Sequence, residues 1–235
     1  MGEFTGPALL SPAMEIDLRL PDAEFLGGVV VARGVTVGPA PAGLAGRMDE
    51  LVARRAGEAE FPAAAVKEGV RAMLRRGGFK PSGRNKPASE YLAQAAREGR
   101  FPRINNLVDV NNLLSLESGL PISLLDLEAV GEQVVLRYGA EGERYVFNSA
   151  GQEIELKGLI CVCRVEGGTS VPLGNAIKDS MAGKLRETTR GVIGVVYATR
   201  EAASAERVGE VVREFGELLV RFGGASEVET RVVGG

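Results

Sequence analysis

Apolar residues recur along this chain with two different periods, and most of its elements follow from where one gives way to the other. From Met14 to Leu20 apolar and polar positions alternate, with Ile16, Leu18 and Leu20 on one side, and Leu26 to Val37 holds the run VVVARGV. Both stretches predict strands. Residues 1–13, MGEFTGPALLSPA, are broken by glycine and proline and read as a loose tail. After the linker VGPAPAG, residues 37–43, the period becomes helical in three segments, at about 44–57, 60–76 and 88–98. In the second, Phe61, Ala65, Val66, Val70, Met73 and Leu74 make the buried face; in the third, Glu90, Gln94 and Arg97 lie on the wet side. Ser82 and Ser89 are the candidate caps.

The stretch Asn105–Ser118 has a different pattern. At ~100° per residue, Asn105, Asp109 and Asn112 fall in one stripe. Leu107, Val108, Val110, Leu113, Leu114 and Leu116 occupy the rest of the circumference. That predicts a helix enclosed by protein, stopped by Gly119-Leu120-Pro121. Short strands follow at Gln133–Tyr138, Arg144–Phe147, Glu153–Leu156 and Leu159–Val165, separated by turns at Gly139, Gly142, Gly151 and Gly158. Glu166–Asn175, EGGTSVPLGN, lacks the ending of a phosphate-binding P-loop and reads as a hairpin-like connection. Val192–Thr199 is a strong strand. Ala202–Phe222 is an amphipathic helix with Val208, Val211, Val212, Phe215, Leu218, Leu219 and Phe222 on one face. The expectation is an α+β fold, a single domain over 14–225 with helices massed in the first half and strands in the second, and a second tail at 226–235.

Composition narrows the chemistry. The 235 residues, 45% hydrophobic and 25% charged, suffice for a substantial core. The chain contains no histidine, which excludes Ser-His-Asp and Cys-His catalysis and histidine-ligated metals within it. No metal-ligand cluster stands out among the acids, and no cofactor is expected. Cys161 and Cys163 lie one residue apart on one face of a strand and read as core thiols. A net charge of −3 and a pI near 5.4 argue against a general nucleic-acid coat, and no DNA partner is expected, but a local basic patch is compatible with both. With no long apolar run, export signal or lipidation motif, the expected location is the cytoplasm, away from membranes.

Two features remain as candidate chemistry. Buried amides left unpaired cost about 1–3 kcal/mol each, so the asparagine stripe must either brace backbone or face a polar ligand. A buried Asp109 calls for backbone N–H groups or an arginine, and Arg103 is the nearest arginine in sequence. Glu117 reads as solvated or capping. The second feature is the stretch Arg71–Lys86, which carries Arg71, Arg75, Arg76, Lys80, Arg84 and Lys86 without one acid. Arg75 and Arg76 suit the last turn of a helix. Lys80, Arg84 and Lys86 sit in a Gly/Pro/Ser loop, which suits an anion cradle.

These residues carry a resemblance. INNLVDVNNLLSLESGLPISLLDLEAVG (Ile104–Gly131) and VVLRYGAEGERYVFN (Val134–Asn148) resemble the I-N-N-x-V-D-x-x-N, G-x-P-x-x-x-x-D and R-x-A-x-x-G-E runs of the tRNA-editing domain of the phenylalanyl-tRNA synthetase beta subunit. FKPSGRNKPASE (Phe79–Glu90) is similar to a loop of free-standing members, and the likeness covers roughly Arg71 to Tyr197. In the synthetase the domain hydrolyses tyrosine mistakenly attached to phenylalanine tRNA. The resemblance therefore implies a free-standing aminoacyl-tRNA deacylase acting in trans on the aminoacylated 3′ end of a tRNA. It places Asn112 at the family's pocket asparagine and Ser123 where the synthetase has a histidine. The family's acidic residue in the last strand is replaced within Val192–Val196, and Lys178, Asp179, Ser180 and Lys184 correspond to the pocket's far wall.

On this reading Asn112, Asp109 and Ser123 are the catalytic candidates, and Asn105, Asn112, Lys80 and Ser82 would bind substrate. Arg75, Arg76, Lys80, Arg84, Lys86 and Arg103 would bind tRNA. The attacking water would be activated by Asp109 or, in preference, by the substrate's own ribose hydroxyl. The alternatives are a non-catalytic module that binds tRNA or an amino acid on the same fold, and an amide stripe that only braces its helix.

Overall fold

The computed structural model describes residues 14–21, 23 and 25–235, with Arg84 by its backbone alone. The expected tail at 1–13 lies outside the described residues. In order, the elements are β1 (Glu15–Arg19), β2 (Phe25–Arg33), α1 (Ala42–Ala56), α2 (Ala64–Arg76), α3 (Ala88–Arg97), α4 (Asn106–Ser118), β3 (Ile122–Asp126), α5 (Leu127–Val130), β4 (Gln133–Tyr138), β5 (Arg144–Val146) and β6 (Glu153–Glu155), followed by β7 (Ile160–Glu166), β8 (Thr169–Asn175), β9 (Gly191–Thr199), α6 (Ala205–Gly223) and β10 (Glu227–Gly234). Short 3₁₀ turns sit at Gly83–Asn85 and Met181–Gly183.

The fold is α+β. One sheet has the order β1-β4-β7-β8, with β1 and β4 parallel and the other pairs antiparallel; the second, β10-β2-β9-β3, is antiparallel throughout. β5 and β6 form a separate ribbon. β2 and β9 are buried almost from end to end, as their unbroken apolar runs require of central strands. Helix α6 crosses β2 and β10 at close range. A Cβ on Gly28 would lie 2.6 Å from Val212, and one on Gly194 would lie 2.5 Å from Phe215, so bare backbone at these two strand positions lets the helix seat.

Helix α4 is enclosed, as its pattern predicts: Asn106, Leu107 and Asp109 to Leu116 are all buried, against α1, α3, α6 and β3. Asn105 caps its start by accepting from the Val108 N–H at 2.9 Å, and Gly119, at φ 77°, ends it in the left-handed conformation. Asn106 donates to the carbonyls of Thr36 (2.9 Å) and Phe222 (2.8 Å) and accepts from the Gly38 N–H (2.9 Å), so its buried amide is fully satisfied. Arg55 donates to the carbonyls of Leu116 and Glu117 at the other end, and Arg47 pairs with Glu117 at 2.8 Å.

Five local expectations are corrected. The stretch 226–235 is no tail: β10 pairs with β2 over its whole length, with Val228 and Val233 packed on the core. Glu166–Asn175 is a turn only at Gly167-Gly168, both at positive φ (56° and 80°); Glu166 ends β7 and Thr169–Asn175 is strand β8. Glu90 is buried rather than wet, because Arg71 holds both its oxygens at 2.7 Å. Helix α3 starts at Ala88 with Pro87 at its cap position, which leaves Ser89 inside the first turn with a buried hydroxyl that makes no hydrogen bond; α2 starts only at Ala64, so Ala65 is exposed.

The two sheets meet where β3, an edge of the second, runs beside β8, an edge of the first. The candidate site lies over this seam.

Candidate functional site

A cleft of about 810 Å³ opens between the loop that precedes α3, the outer face of α3, the β5–β6 ribbon and the turn that follows β8. Its walls carry four cations, Lys86, Arg100, Lys178 and Lys184, against two carboxylates, Glu153 and Asp179. Two aromatic rings stand among them. Tyr91 is 48% exposed, with the Arg100 guanidinium 5.4 Å from its centroid and bonded to its hydroxyl at 3.3 Å. The Lys178 ammonium lies 3.9 Å from the centroid of Phe147, and Lys184 donates to the Phe147 carbonyl at 2.8 Å. Lys86 donates to Gln94 at 3.0 Å. Cations interleaved with rings suit a ligand that combines phosphate with flat bases.

Asp179 forms part of the wall, and its carboxyl reaches back into the seam. Oδ1 accepts from the Ser123 hydroxyl at 2.6 Å and Oδ2 from the Leu124 N–H at 3.2 Å. Burial pushes its pKa up to about 6; the bonds from Ser123, Leu124 and Asn175 and the charge of Lys184 only partly offset that. Ser123 is fully buried, 3.0 Å from the Tyr197 hydroxyl and 3.1 Å from the Asn175 carbonyl. Burial pushes Tyr197 well above the ordinary tyrosine value, so it keeps its proton and can donate to Ser123. One serine proton serves two acceptors. With Asp179 ionised, Ser123 donates to it and accepts from Tyr197; with Asp179 protonated, Ser123 can turn to the Asn175 carbonyl. The seam is a short hydroxyl chain ending on a carboxyl that titrates close to neutrality.

The turn that presents Asp179 is built by Asn175. Its Oδ1 accepts from the N–H groups of Ile177 and Lys178, and its Nδ2 donates to the Tyr145 hydroxyl, which donates onward to the Lys178 carbonyl. Gly174 leaves room for the carboxyl: a Cβ there would lie 2.6 Å from Asp179 Oδ1 and 3.2 Å from Ser123 Oγ. Ser180 caps the following 3₁₀ turn through the Ala182 N–H.

The residues singled out in the sequence are dispersed. Lys86 lines the cleft with its loop neighbours Gly83 and Asn85; the Arg84 side chain lies outside the described residues. Lys80 borders a second, smaller cleft of about 220 Å³, with Phe79, Glu155 and Lys157, and Ser82 is exposed in the loop between the two. Arg75 pairs with Glu68 at 2.5 Å and Arg76 with Glu201 at 3.1 Å. Arg103 pairs with Asp49 at 2.6 Å. It is therefore not the bonded partner of Asp109, which accepts the Ile104 N–H at 2.9 Å and whose pKa burial raises. Asn112 accepts from Asn111 at 3.3 Å, while Asn111 Oδ1 is buried without a partner. Asn105, Asp109 and Asn112 do not line the cleft; Ser123 meets it through Asp179.

Both cysteines are buried and free, and burial pushes Cys163 up to about 12 and Cys161 well above the ordinary thiol value, so neither presents a thiolate. Among the described residues no three His, Cys, Asp or Glu side chains are grouped to hold a metal, and no helix is long and apolar enough to cross a membrane.

The stretch from Gly83 to Lys184 thus supplies every residue of the larger cleft named here, together with β3 and β8. Residues 79–209 match the B3/4 domain, the domain found in the phenylalanyl-tRNA synthetase beta subunit, and the chain, a tRNA-synthetase-related module, belongs to the B3/4 domain family.

Proposed function

We propose that this protein binds the aminoacylated 3′ end of a tRNA in the cleft and hydrolyses the ester when the amino acid is the wrong one, acting as a free-standing editing enzyme. The observation that carries this reading is the placement of a partly buried carboxyl, Asp179, at the wall of a cleft rimmed by Lys86, Arg100, Lys178 and Lys184 and by the rings of Tyr91 and Phe147. The terminal bases would stack on the rings, and the cations would take the phosphates. A carboxyl titrating near 6 is ionised at neutral pH and basic enough to draw a proton from a water in contact with it. The water oxygen bonds to the ester carbonyl carbon as Asp179 takes its proton; the bond from that carbon to the ribose oxygen then breaks, Asp179 returns the proton to that oxygen, and the amino acid departs as a free carboxylate whose acid proton goes to solvent. In this scheme Asp179 takes the place that the absent histidine would otherwise fill, and Ser123 is a positioning residue that acts through it. Asn105 and Asp109 secure the start of α4, which leads into β3.

A panel of mischarged tRNAs tests the reading: turnover above buffer on at least one, and its loss by about 10²-fold or more in Asp179→Asn, is expected. A non-catalytic tRNA-binding module is the second reading, favoured by one observation, that both Asp179 oxygens already accept protein hydrogen bonds. Binding of charged tRNA without turnover on any member of the panel would establish that reading instead.

A further inference from the structure

We propose that β10 is a dimerisation edge, on which a second copy of this chain adds its own β10 antiparallel about a two-fold axis through Thr230. The strand is the outer member of its sheet, and among the described residues only β2 pairs with it, without a bulge, from Glu227 opposite Arg33 to Gly234 opposite Leu26. Alternate residues therefore turn their N–H and C=O groups outward along eight residues. Edges of this length are usually blunted by proline, a bulge or charged side chains; this one has neither proline nor bulge, and of its charges Glu229 and Arg231 are opposite in sign on either side of Thr230.

The sequence EVETRVVG is self-complementary in one register. Two identical antiparallel strands keep their side chains on matching faces only when the axis passes through a residue. Centred on Thr230, Glu229 of each copy faces Arg231 of the other, Val228 faces Val232, and Thr230 faces itself. Moving the axis to Glu229 sets glutamate against glutamate, and moving it to Arg231 sets arginine against arginine. Opposed like charges disfavour both registers. In the isolated chain Glu229 lies 3.2 Å from Arg231 and 3.0 Å from Arg33, so the two copies would merge their ion pairs into one network across the junction.

The opposite face supplies apolar surface. Val228 and Thr230 lie against Gly216 of α6, and Val232 lies near Gly209. Val232 is 37% exposed, and Val220, one turn beyond Gly216, is 50% exposed. A paired strand brings the two α6 helices onto the same side of a continuous eight-stranded sheet, with these valines at the join. β3 is the other edge of the sheet, so the clefts would stay open at its two far ends.

Sedimentation velocity on the full chain, from low to high micromolar, tests the proposal. A species of twice the 24.8 kDa chain mass is expected for the native sequence. Arg231→Glu alone and Glu229→Arg alone should each be monomeric, since each sets like charges across the axis, and an equimolar mixture of the two should recover the dimer. Circular dichroism verifies that each variant is folded. Amide exchange on the native chain adds a reading that needs no substitution: protection of residues 227–234 should rise with protein concentration. A native chain that stays monomeric at high concentration, single variants that dimerise as well as the native chain, or edge protection independent of concentration would each overturn the proposal.

Discussion

Ser123 Oγ lies 2.6 Å from Asp179 Oδ1, a bond that joins the edge strand of one sheet to the turn leaving the edge strand of the other. Cutting it has two measurable effects. Ser123→Ala should lower stability in urea by about 1–3 kcal/mol, because buried acceptors and the Tyr197 hydroxyl lose a partner. It should also move the titration of Asp179 further upward, since this bond is the strongest of the interactions that hold it down.

Restoring the synthetase-like side chain should not restore a synthetase-like site. Ser123 is fully buried, with Tyr197, Asn175 and Asp179 in contact, so the imidazole of Ser123→His has no room without displacing them. A lowered melting temperature, corresponding to overpacking of roughly 1–3 kcal/mol, is expected in a thermal scan.

The raised pKa of Asp179 dictates the sign of a pH effect. Between the ordinary aspartate value of 3.8 and about 6 the folded protein holds a proton that the unfolded chain has released. That contribution to stability is therefore complete below the lower value and is lost as pH rises through the upper one. Asp179→Asn removes the slope. The stability difference between native and variant, followed by urea titration from acid to neutral pH, should shift by up to about 3 kcal/mol in the direction of relative destabilisation of the native chain. Ester hydrolysis should run the other way, rising as Asp179 ionises.

Gly174→Ala is expected to damage the site and the fold together. Its methyl group would press on Asp179 Oδ1 at 2.6 Å, and the carboxyl sits on a turn that can shift. Reduced turnover together with a melting temperature lowered to about the extent of Ser123→Ala, because the displaced carboxyl loses its bond to Ser123, is the expected result of a paired activity and calorimetry measurement.

Binding of tRNA should distinguish cations by place rather than by number. Lys178→Ala and Lys184→Ala remove charge from the cleft and should weaken binding. The slope of log affinity against log salt should become shallower by about 0.7 for each phosphate that is no longer neutralised. Arg75→Ala, which removes a partner of Glu68 outside the cleft, should leave both nearly unchanged in the same fluorescence titration.

Periodicity made α1, α2, α4, α6, β4 and β9 legible, because each element buries a face that its spacing declares. β8 was not, since Pro172 and Gly174 break its pattern. The structure tolerates them because β8 is an edge strand and its pairing shifts register between Val162 and Cys163, beside Pro172. β10 was hidden by its own charges, Glu227, Glu229 and Arg231, which an edge strand can keep in water.

The site was legible in a different sense. The loop that carries Lys86 shows in the charge pattern alone, but Asp179 emerges only through resemblance, since the Ser123 that defines it is 56 residues away. The amide stripe drew notice because asparagines inside a leucine-rich helix are costly. At Asn105 and Asn106 the structure resolves that cost through backbone hydrogen bonds.

The Asn106 amide also bears on how this protein can be cut. Its three hydrogen bonds end on Gly38, Thr36 and Phe222, all outside the family-matched span of 79–209, and β2, the neighbour of β9 through the middle of its sheet, lies outside as well. Excising the matched span would strand a buried amide and expose one flank of β9. The smallest autonomous folding unit is therefore wider than the region of family likeness, and the flanking segments are part of its interior.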